Sequence, residues 1–340
     1  MKLFIKITLL FFVLSYGLFY YAYKFSSPKV QGLKDYTEYV KLYENWDYEN
    51  VSSPFNSRLV SSYGIYLFNK AGFYYETDIA FTNDKVEKSV FFNGLLFNYI
   101  FIVLTGVLIF YFSWFNGIAF WSSLVGGILY IFSFSTMFFY LNPLTEALSA
   151  FLTALILLSL FKRNYWYLPI LLIALFQREY IFFLIGLYAA FQIVFHKEAK
   201  GYFVNVLIST ILFFVIYFIL RKTLFYTPHH DEQVQFSNLI SNVFSLNVSI
   251  AAYIKQAFLT QNIFVFYLLL VGYKKIKKMP IDISKLLLLL LLFLQMIVIS
   301  LFAKLAQTIG RLFFLSAPLI VYFLLYELQP FVNMQKSKKG

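Results

Sequence analysis

Arginine is scarce in this chain and unevenly placed. Only Arg58, Arg163, Arg178, Arg221 and Arg311 stand among its 28 basic residues. A guanidinium holds phosphate or carboxylate oxygens two at a time, which a lysine ammonium cannot do. Three carboxylates stand out beside them, Asp35, Glu146 and Glu179, the last directly after Arg178. A carboxylate can accept a proton from an attacking hydroxyl, and a guanidinium can steady a departing phosphate. The run His229-His230-Asp231-Glu232 offers imidazole and carboxylate, a donor set that suits a transition metal. Consecutive residues seldom converge on one ion, and no His-x-x-x-His spacing supports them, so no metal site is assigned. A solvated loop, or a loop that holds a phosphate or substrate, remains for His229 and His230.

Each of these residues also has a purely structural reading. Asp35 can cap a helix N-terminus, and Glu146 can do the same for the segment it begins. Arg178 and Glu179 can form a local ion pair that staples a hairpin, and Arg58 can pair with an acid of its own loop. Arg311 can reach out to lipid phosphates. The chain has no Cys, no Gly-rich phosphate loop, no Gly-x-Ser-x-Gly elbow and no His-Glu-x-x-His, which excludes thiol chemistry and the common nucleotide and zinc motifs.

The elements that must position these groups follow from composition. At 61% hydrophobic and 13% charged over 340 residues, with a mean hydropathy of +0.72, the chain lies far from soluble domains. The sequence predicts an all-α, polytopic transmembrane bundle of about ten spans, with eight to ten allowed. The segments are 4–23, 91–113, 117–140, 145–161, 165–176, 180–195, 202–220, 257–272, 284–303 and 312–327. The stretch 165–195 reads either as two short spans around Gln177-Arg178-Glu179 or as one broken element. The first segment reads as an uncleaved anchor, since no small-x-small cleavage site follows it.

Lys and Arg in the short loops then set the orientation. With Lys2 and Lys6 in the cytoplasm, Lys162, Arg163, Lys197, Lys200, the cluster Lys274–Lys278, Lys285 and the tail lysines share that side. Both termini are expected to be cytoplasmic. Four of the five arginines then face outward, against the positive-inside trend, which suggests an anionic ligand on the outer face. The basic residues alternate with apolar runs rather than lining a groove, so nucleic acid is not an expected partner.

The expected organisation is a first anchor (1–23), an extracytoplasmic loop (24–90), a multi-span bundle (91–327) and a basic cytoplasmic tail (328–340). In the loop, Tyr36, Tyr39, Tyr43 and Trp46 recur at helical spacing, as do Leu59, Tyr63, Tyr66 and Leu67. This predicts two short amphipathic helices at the outer interface, with their aromatic residues forming a belt at headgroup depth.

Four outer segments together resemble the GT-C superfamily of membrane glycosyltransferases, which use polyprenyl-phosphate-linked sugars. They are Gly32-Leu33-Lys34-Asp35-Tyr36-Thr37-Glu38-Tyr39, Pro54-Phe55-Asn56-Ser57-Arg58-Leu59, Asn142-Pro143-Leu144-Thr145-Glu146 and Gly310-Arg311-Leu312-Phe313-Phe314-Leu315-Ser316-Ala317-Pro318. The family's paired Asp-x-Asp is absent, with Asp47-Tyr48-Glu49 the nearest run, and no large C-terminal domain follows. The resemblance implies transfer of a sugar from a polyprenyl-phosphate donor to a cell-envelope glycan or lipid-linked acceptor. The site would face outward from an integral, bacterial-type plasma membrane, and transfer would proceed with inversion. Taken with the resemblance, Asp35 is the expected base and Arg311 and Arg178 the expected phosphate ligands; Arg58 and Glu146 of the resembling segments, and Glu179, His229 and His230 from the reading of the residues, are the further substrate-binding candidates. The cofactor stays open, with a divalent cation such as Mg or Mn as the candidate. Rival expectations are a polymerase or ligase of lipid-linked oligosaccharides, a transporter or flippase of an anionic lipid, and a non-catalytic scaffold.

Overall fold

Long apolar runs with few breakers leave the backbone one way to satisfy itself in lipid, and that is helix. The computed structural model describes residues 2–27, 35–52, 55–225, 261–302 and 313–337. Every regular element among these is helical. In chain order they are α1 (Lys2–Phe25), α2 (Asp35–Asn45), α3 (Leu59–Ala71), α4 (Lys85–Phe115), α5 (Phe120–Ile131), α6 (Glu146–Phe161), α7 (Tyr167–Ala174), α8 (Tyr180–Phe195), α9 (Lys200–Leu224), α10 (Asn262–Ile276), α11 (Ile283–Phe302) and α12 (Ala317–Ser337). Four stretches are long and apolar enough to cross a membrane: α1, α4, α9 with its short lead-in from Lys197, and Phe314–Phe331. Four shorter apolar helices accompany them: Phe120–Ile131, Glu146–Phe161, Tyr180–Phe195 and Ile283–Ile299.

Polar contacts fix two levels in the bundle. At the proximal end, where α1 begins, Phe4 stacks on Tyr111, Tyr202 Oη donates to the Asn164 carbonyl at 2.8 Å, and Gln329 donates to the Gly117 carbonyl at 2.8 Å. At the distal end, Val60 N donates to the Phe176 carbonyl at 3.0 Å and Tyr217 Oη to Glu179 at 3.1 Å. The segments 146–161, 165–178, 180–195 and 202–217 therefore each run from one level to the other. At 1.5 Å per residue, the 16 residues of α6 or α8 span about 24 Å. The helix α7 has only 8 residues, but 3₁₀-type bonds (Phe176 N to Ile173 O at 3.2 Å, Gln177 N to Ala174 O at 3.1 Å) carry it on to the distal turn.

Several expected boundaries move. The segment 117–140 is not one continuous helix. After α5 the chain bends at 132–135 and closes in a wider, π-type turn at Thr136–Tyr140. Hydroxyls explain the break: Thr136 Oγ1 takes the Tyr130 carbonyl at 2.7 Å, and Ser133 Oγ donates to Thr136 Oγ1 at 2.9 Å, replacing backbone partners. The tail expected from 328 is helical through Ser337, an extension of α12 with Pro330 inside it. Two helices form in the first loop as expected, but Tyr36, Tyr39 and Tyr43 of α2 are buried against α3 and α4 and so are not part of a lipid-facing belt, whereas Tyr63 and Leu67 of α3 stay exposed.

The helix α4, at 31 residues, is long enough to protrude beyond its neighbours at the distal end. Asp84 caps it, accepting from the Val86 and Glu87 amides at 2.9 Å each. Its protruding turns carry α2 and α3. Asn93 donates to the Phe73 carbonyl at 2.7 Å, and the Tyr36 ring packs edge-on against Phe91 at 6.1 Å. Farther down, α4 meets α5 at backbone distance, since a Cβ on Gly127 would lie 2.7 Å from the Gly106 carbonyl oxygen. The result is a roof of α2 and α3 over the distal level.

Candidate functional site

The site begins with a glycine. A Cβ at Gly94 of α4 would stand 2.3 Å from Pro143 Cβ, so only glycine lets the turn 142–145 seat there. One turn along α4, the Asn98 amide donates to the Asn142 carbonyl and, at 3.0 Å, to that of Leu144. From the roof, Tyr43 Oη donates to the Pro143 carbonyl at 3.0 Å. The turn is thus held from two sides, and it delivers Thr145 and Glu146 to the start of α6. Thr145 makes no capping bond there, and Glu146 turns to Arg178.

A second turn, 175–179, meets the first. Gln177 is fully buried and uses its whole amide. Its Oε1 accepts from the Ser61 amide at 3.0 Å, while Nε2 donates to Ser61 Oγ (2.6 Å), the Thr145 carbonyl (2.7 Å) and Ser149 Oγ (3.1 Å). This one side chain joins α3, α6 and the distal turn.

Two ion pairs then cross between turns. Arg178 binds Glu146 and, at 3.3 Å, Thr145 Oγ1, with its guanidinium 5.3 Å from the Tyr180 ring centroid. Arg58, at the head of α3, donates to Tyr39 Oη at 2.8 Å and to Glu179 Oε1 at 3.1 Å. The other oxygen of Glu179 accepts from Tyr217 Oη of α9 at 3.1 Å. The expected pair Arg178–Glu179 is therefore corrected: each takes a partner from a different element, and Arg58 reaches beyond its own loop. Burial pushes the Glu179 carboxyl up, but Arg58, Arg178 and Arg221 outweigh it and hold it at about 2.

With two guanidiniums and two carboxylates the layer is neutral, and Arg58, Glu146 and Arg178 are almost wholly buried. Burying a charge away from water is costly unless it is paired and hydrogen-bonded, and the pairing offsets that cost. It also commits the arginines. Of the buried atoms of these four charged side chains, Arg58 Nε, Arg178 Nε and Glu146 Oε2 have no hydrogen-bond partner among the described residues.

A groove opens beside the layer. Glu179, Tyr217 and Arg221 form the charged end of this groove of about 680 Å³ between α8, α9 and α11. Phe183, Leu187, Phe214, Leu291, Leu294 and Val298 continue it down the bundle. No family model, curated protein or solved structure matches this chain. Function has to be argued from the geometry.

Asp35 is the first residue of α2, half-buried and one helical turn from Tyr39, hence on the same face. It is close enough to act electrostatically on Tyr39, whose hydroxyl receives the Arg58 donor. Of the residues singled out from sequence, Arg58, Glu146, Arg178 and Glu179 gather in one layer, with Asp35 at its roof. Arg311, His229 and His230 lie outside the described residues. Sequence reasoning passed over Gln177, Tyr217 and Arg221 as site residues. The last two had a readable signal, since they are four apart on α9 and so share a helix face.

Proposed function

We propose that the chain is a polytopic membrane glycosyltransferase that takes a sugar from a polyprenyl-phosphate carrier on the extracytoplasmic face. The observation that carries this reading is the groove: apolar along its length, and ending in Glu179, Tyr217 and Arg221 beside a buried charged layer. An isoprenoid tail suits the apolar walls, and its phosphate suits the arginine end. A stapling role accounts for the ion pairs but gives no reason for such a groove to end on them.

In this reading Arg58, Arg178, Glu146 and Gln177 are positioning residues that lock the two turns. Arg221 at the groove end faces the carrier phosphate, and Arg311, outside the described residues, is assigned to the same phosphate on the sequence reading alone. The acceptor hydroxyl gives its proton to Asp35 as its oxygen bonds to the anomeric carbon. The bond from that carbon to the phosphate oxygen breaks on the opposite side, and the polyprenyl phosphate leaves with the electron pair, inverting the centre. Among the described residues no three His, Asp or Glu side chains gather as metal ligands. The acceptor is a cell-envelope glycan or a lipid-linked saccharide.

Ten crossings, both termini in the cytoplasm and a bacterial plasma membrane belong to the same reading. The two polar levels support it, because α6 to α9 alternate between them. The distal level is then the outer one.

A flippase of an anionic lipid is the second reading, favoured by the break at 132–135 and by the short α7 that ends on buried charges. One assay separates the two. Purified protein is given a radiolabelled polyprenyl-phosphate sugar in detergent with a crude envelope extract as acceptor. Transferase activity transfers label to the extract, and Asp35→Asn abolishes the transfer while the protein stays folded. A folded wild type that leaves the donor intact in detergent, yet moves it between leaflets in vesicles, would replace this reading with the flippase.

A further inference from the structure

At the proximal end, a cavity of about 250 Å³ opens between the ends of α6, α8, α11 and α12. None of the residues discussed as site residues lines it. Arg163 brings positive charge and His196 an imidazole, Phe161, Phe191 and Phe323 give it apolar walls, and the Lys285 ammonium, also in the lining, is held by Asp282 and the Tyr326 ring. The one carboxylate in the lining, Asp282, is already committed. It accepts from the Ser284 amide (3.1 Å) and hydroxyl (2.6 Å), from the Lys285 amide (3.3 Å) and from the Lys285 ammonium.

Arg163 is the informative residue. It closes α6 in a Schellman turn, with its amide on the Leu160 carbonyl at 3.1 Å and the Asn164 amide on the Ser159 carbonyl at 3.2 Å. Its φ is +49°, the left-handed conformation that glycine adopts freely and side chains resist. Among the described residues its guanidinium has no hydrogen-bond or ion-pair partner, so the fold gains nothing visible from an arginine here. Lys278 closes α10 the same way at φ +53°, but it stands outside the lining of this cavity.

We infer that this proximal cavity binds the headgroup of an anionic phospholipid, with Arg163 on the phosphate and the aromatic walls against the first acyl carbons. Positive charge at the mouth, apolar walls behind it and a position at the ends of apolar helices fit an amphiphile rather than a free anion. The inference is independent of the transferase reading, since it concerns the opposite end of the bundle.

The test is thermal unfolding in neutral detergent, with phosphatidylglycerol, phosphatidylcholine or inorganic phosphate added to wild type, Arg163→Gly and Lys278→Gly. Ligand bound to the folded state raises the melting temperature with concentration. Phosphatidylglycerol should raise it for wild type and Lys278→Gly but not for Arg163→Gly. Without lipid, Arg163→Gly should melt at or above wild type, because glycine relieves the left-handed backbone. The inference is overturned by an undiminished shift in Arg163→Gly, or by an equal loss in Lys278→Gly, which would mean surface charge in general. It is also overturned by an equal shift with phosphatidylcholine or inorganic phosphate, or by a lower lipid-free melting temperature for Arg163→Gly, which would give the arginine a folding role.

Discussion

The bundle buries ion pairs at both ends, and the two ends differ in kind. At the proximal end, Lys274 of α10 pairs with Glu327 of α12, and Glu327 also accepts from the Asp282 amide at 3.4 Å. Nearby, Lys285 and Asp282 pair within one helical turn, and the Lys285 ammonium sits 3.7 Å from the Tyr326 ring centroid. Those contacts tie neighbours together. At the distal end, Arg58, Glu146, Arg178 and Glu179 exchange partners across α3, α6 and the 175–179 turn, with hydroxyls from α2 and α9 completing the shell. A tether needs one pair. A layer that fixes two turns at the mouth of a groove needs every member, and that contrast separates a joint from a site.

The contrast breaks first under single truncations. Arg178→Ala leaves Glu146 buried without its guanidinium, and Lys274→Ala does the same to Glu327. Each should cost about 3–5 kcal/mol in reversible unfolding in detergent. Double replacements should then tell the ends apart. Lys274→Met with Glu327→Leu should recover to within about 1 kcal/mol of wild type, because a well-packed apolar pair can replace a buried ion pair. Arg58→Met with Glu179→Leu should not recover. It leaves the hydroxyls of Tyr39 and Tyr217 without these partners, at about 1–3 kcal/mol for each buried group. Equal recovery at both ends would erase the distinction.

Acid gives a smaller effect of known sign. Glu179 is held at about 2 against an ordinary 4.5, so its stabilising contribution is complete above 4.5 and is lost as the pH falls through 2. By linkage this amounts to about 3 kcal/mol, and Glu179→Gln should flatten that part of the pH profile. Gln177→Ala should cost about 1–3 kcal/mol, chiefly through the stranded Ser61 amide, and is read by the same unfolding measurement.

Much of this was legible in the sequence. The spacing of Tyr36, Tyr39 and Tyr43 announced α2, and scarce arginines beside carboxylates marked the layer before any coordinates. The partners were not legible. Arg178 and Glu179 are neighbours in sequence, yet successive side chains in a helical turn point about 100° apart, so one meets α6 and the other meets Arg58 and α9. The tyrosines looked like an interfacial belt because nothing in their spacing says whether lipid or protein will cover them. The break after α5 was hidden by an unbroken apolar run, since the hydroxyls of Ser133 and Thr136, and not a proline, cause it. Arg221 went unassigned because its importance lies in the groove it ends, and a groove exists only once α8, α9 and α11 are packed.

On the proposed function, this groove holds a lipid phosphate against the charged layer. Its most direct test is a thermal-shift titration of purified wild type and Arg221→Gln with polyprenyl phosphate, alongside the phosphate-free polyprenol. Polyprenyl phosphate should raise the wild-type melting temperature in a saturable way, and polyprenol should not. Arg221→Gln, within about 1 kcal/mol of wild type in stability, should need at least about tenfold more ligand, the equivalent of one lost charged contact. An equal shift with polyprenol, or an Arg221→Gln curve that overlies wild type, would contradict the account.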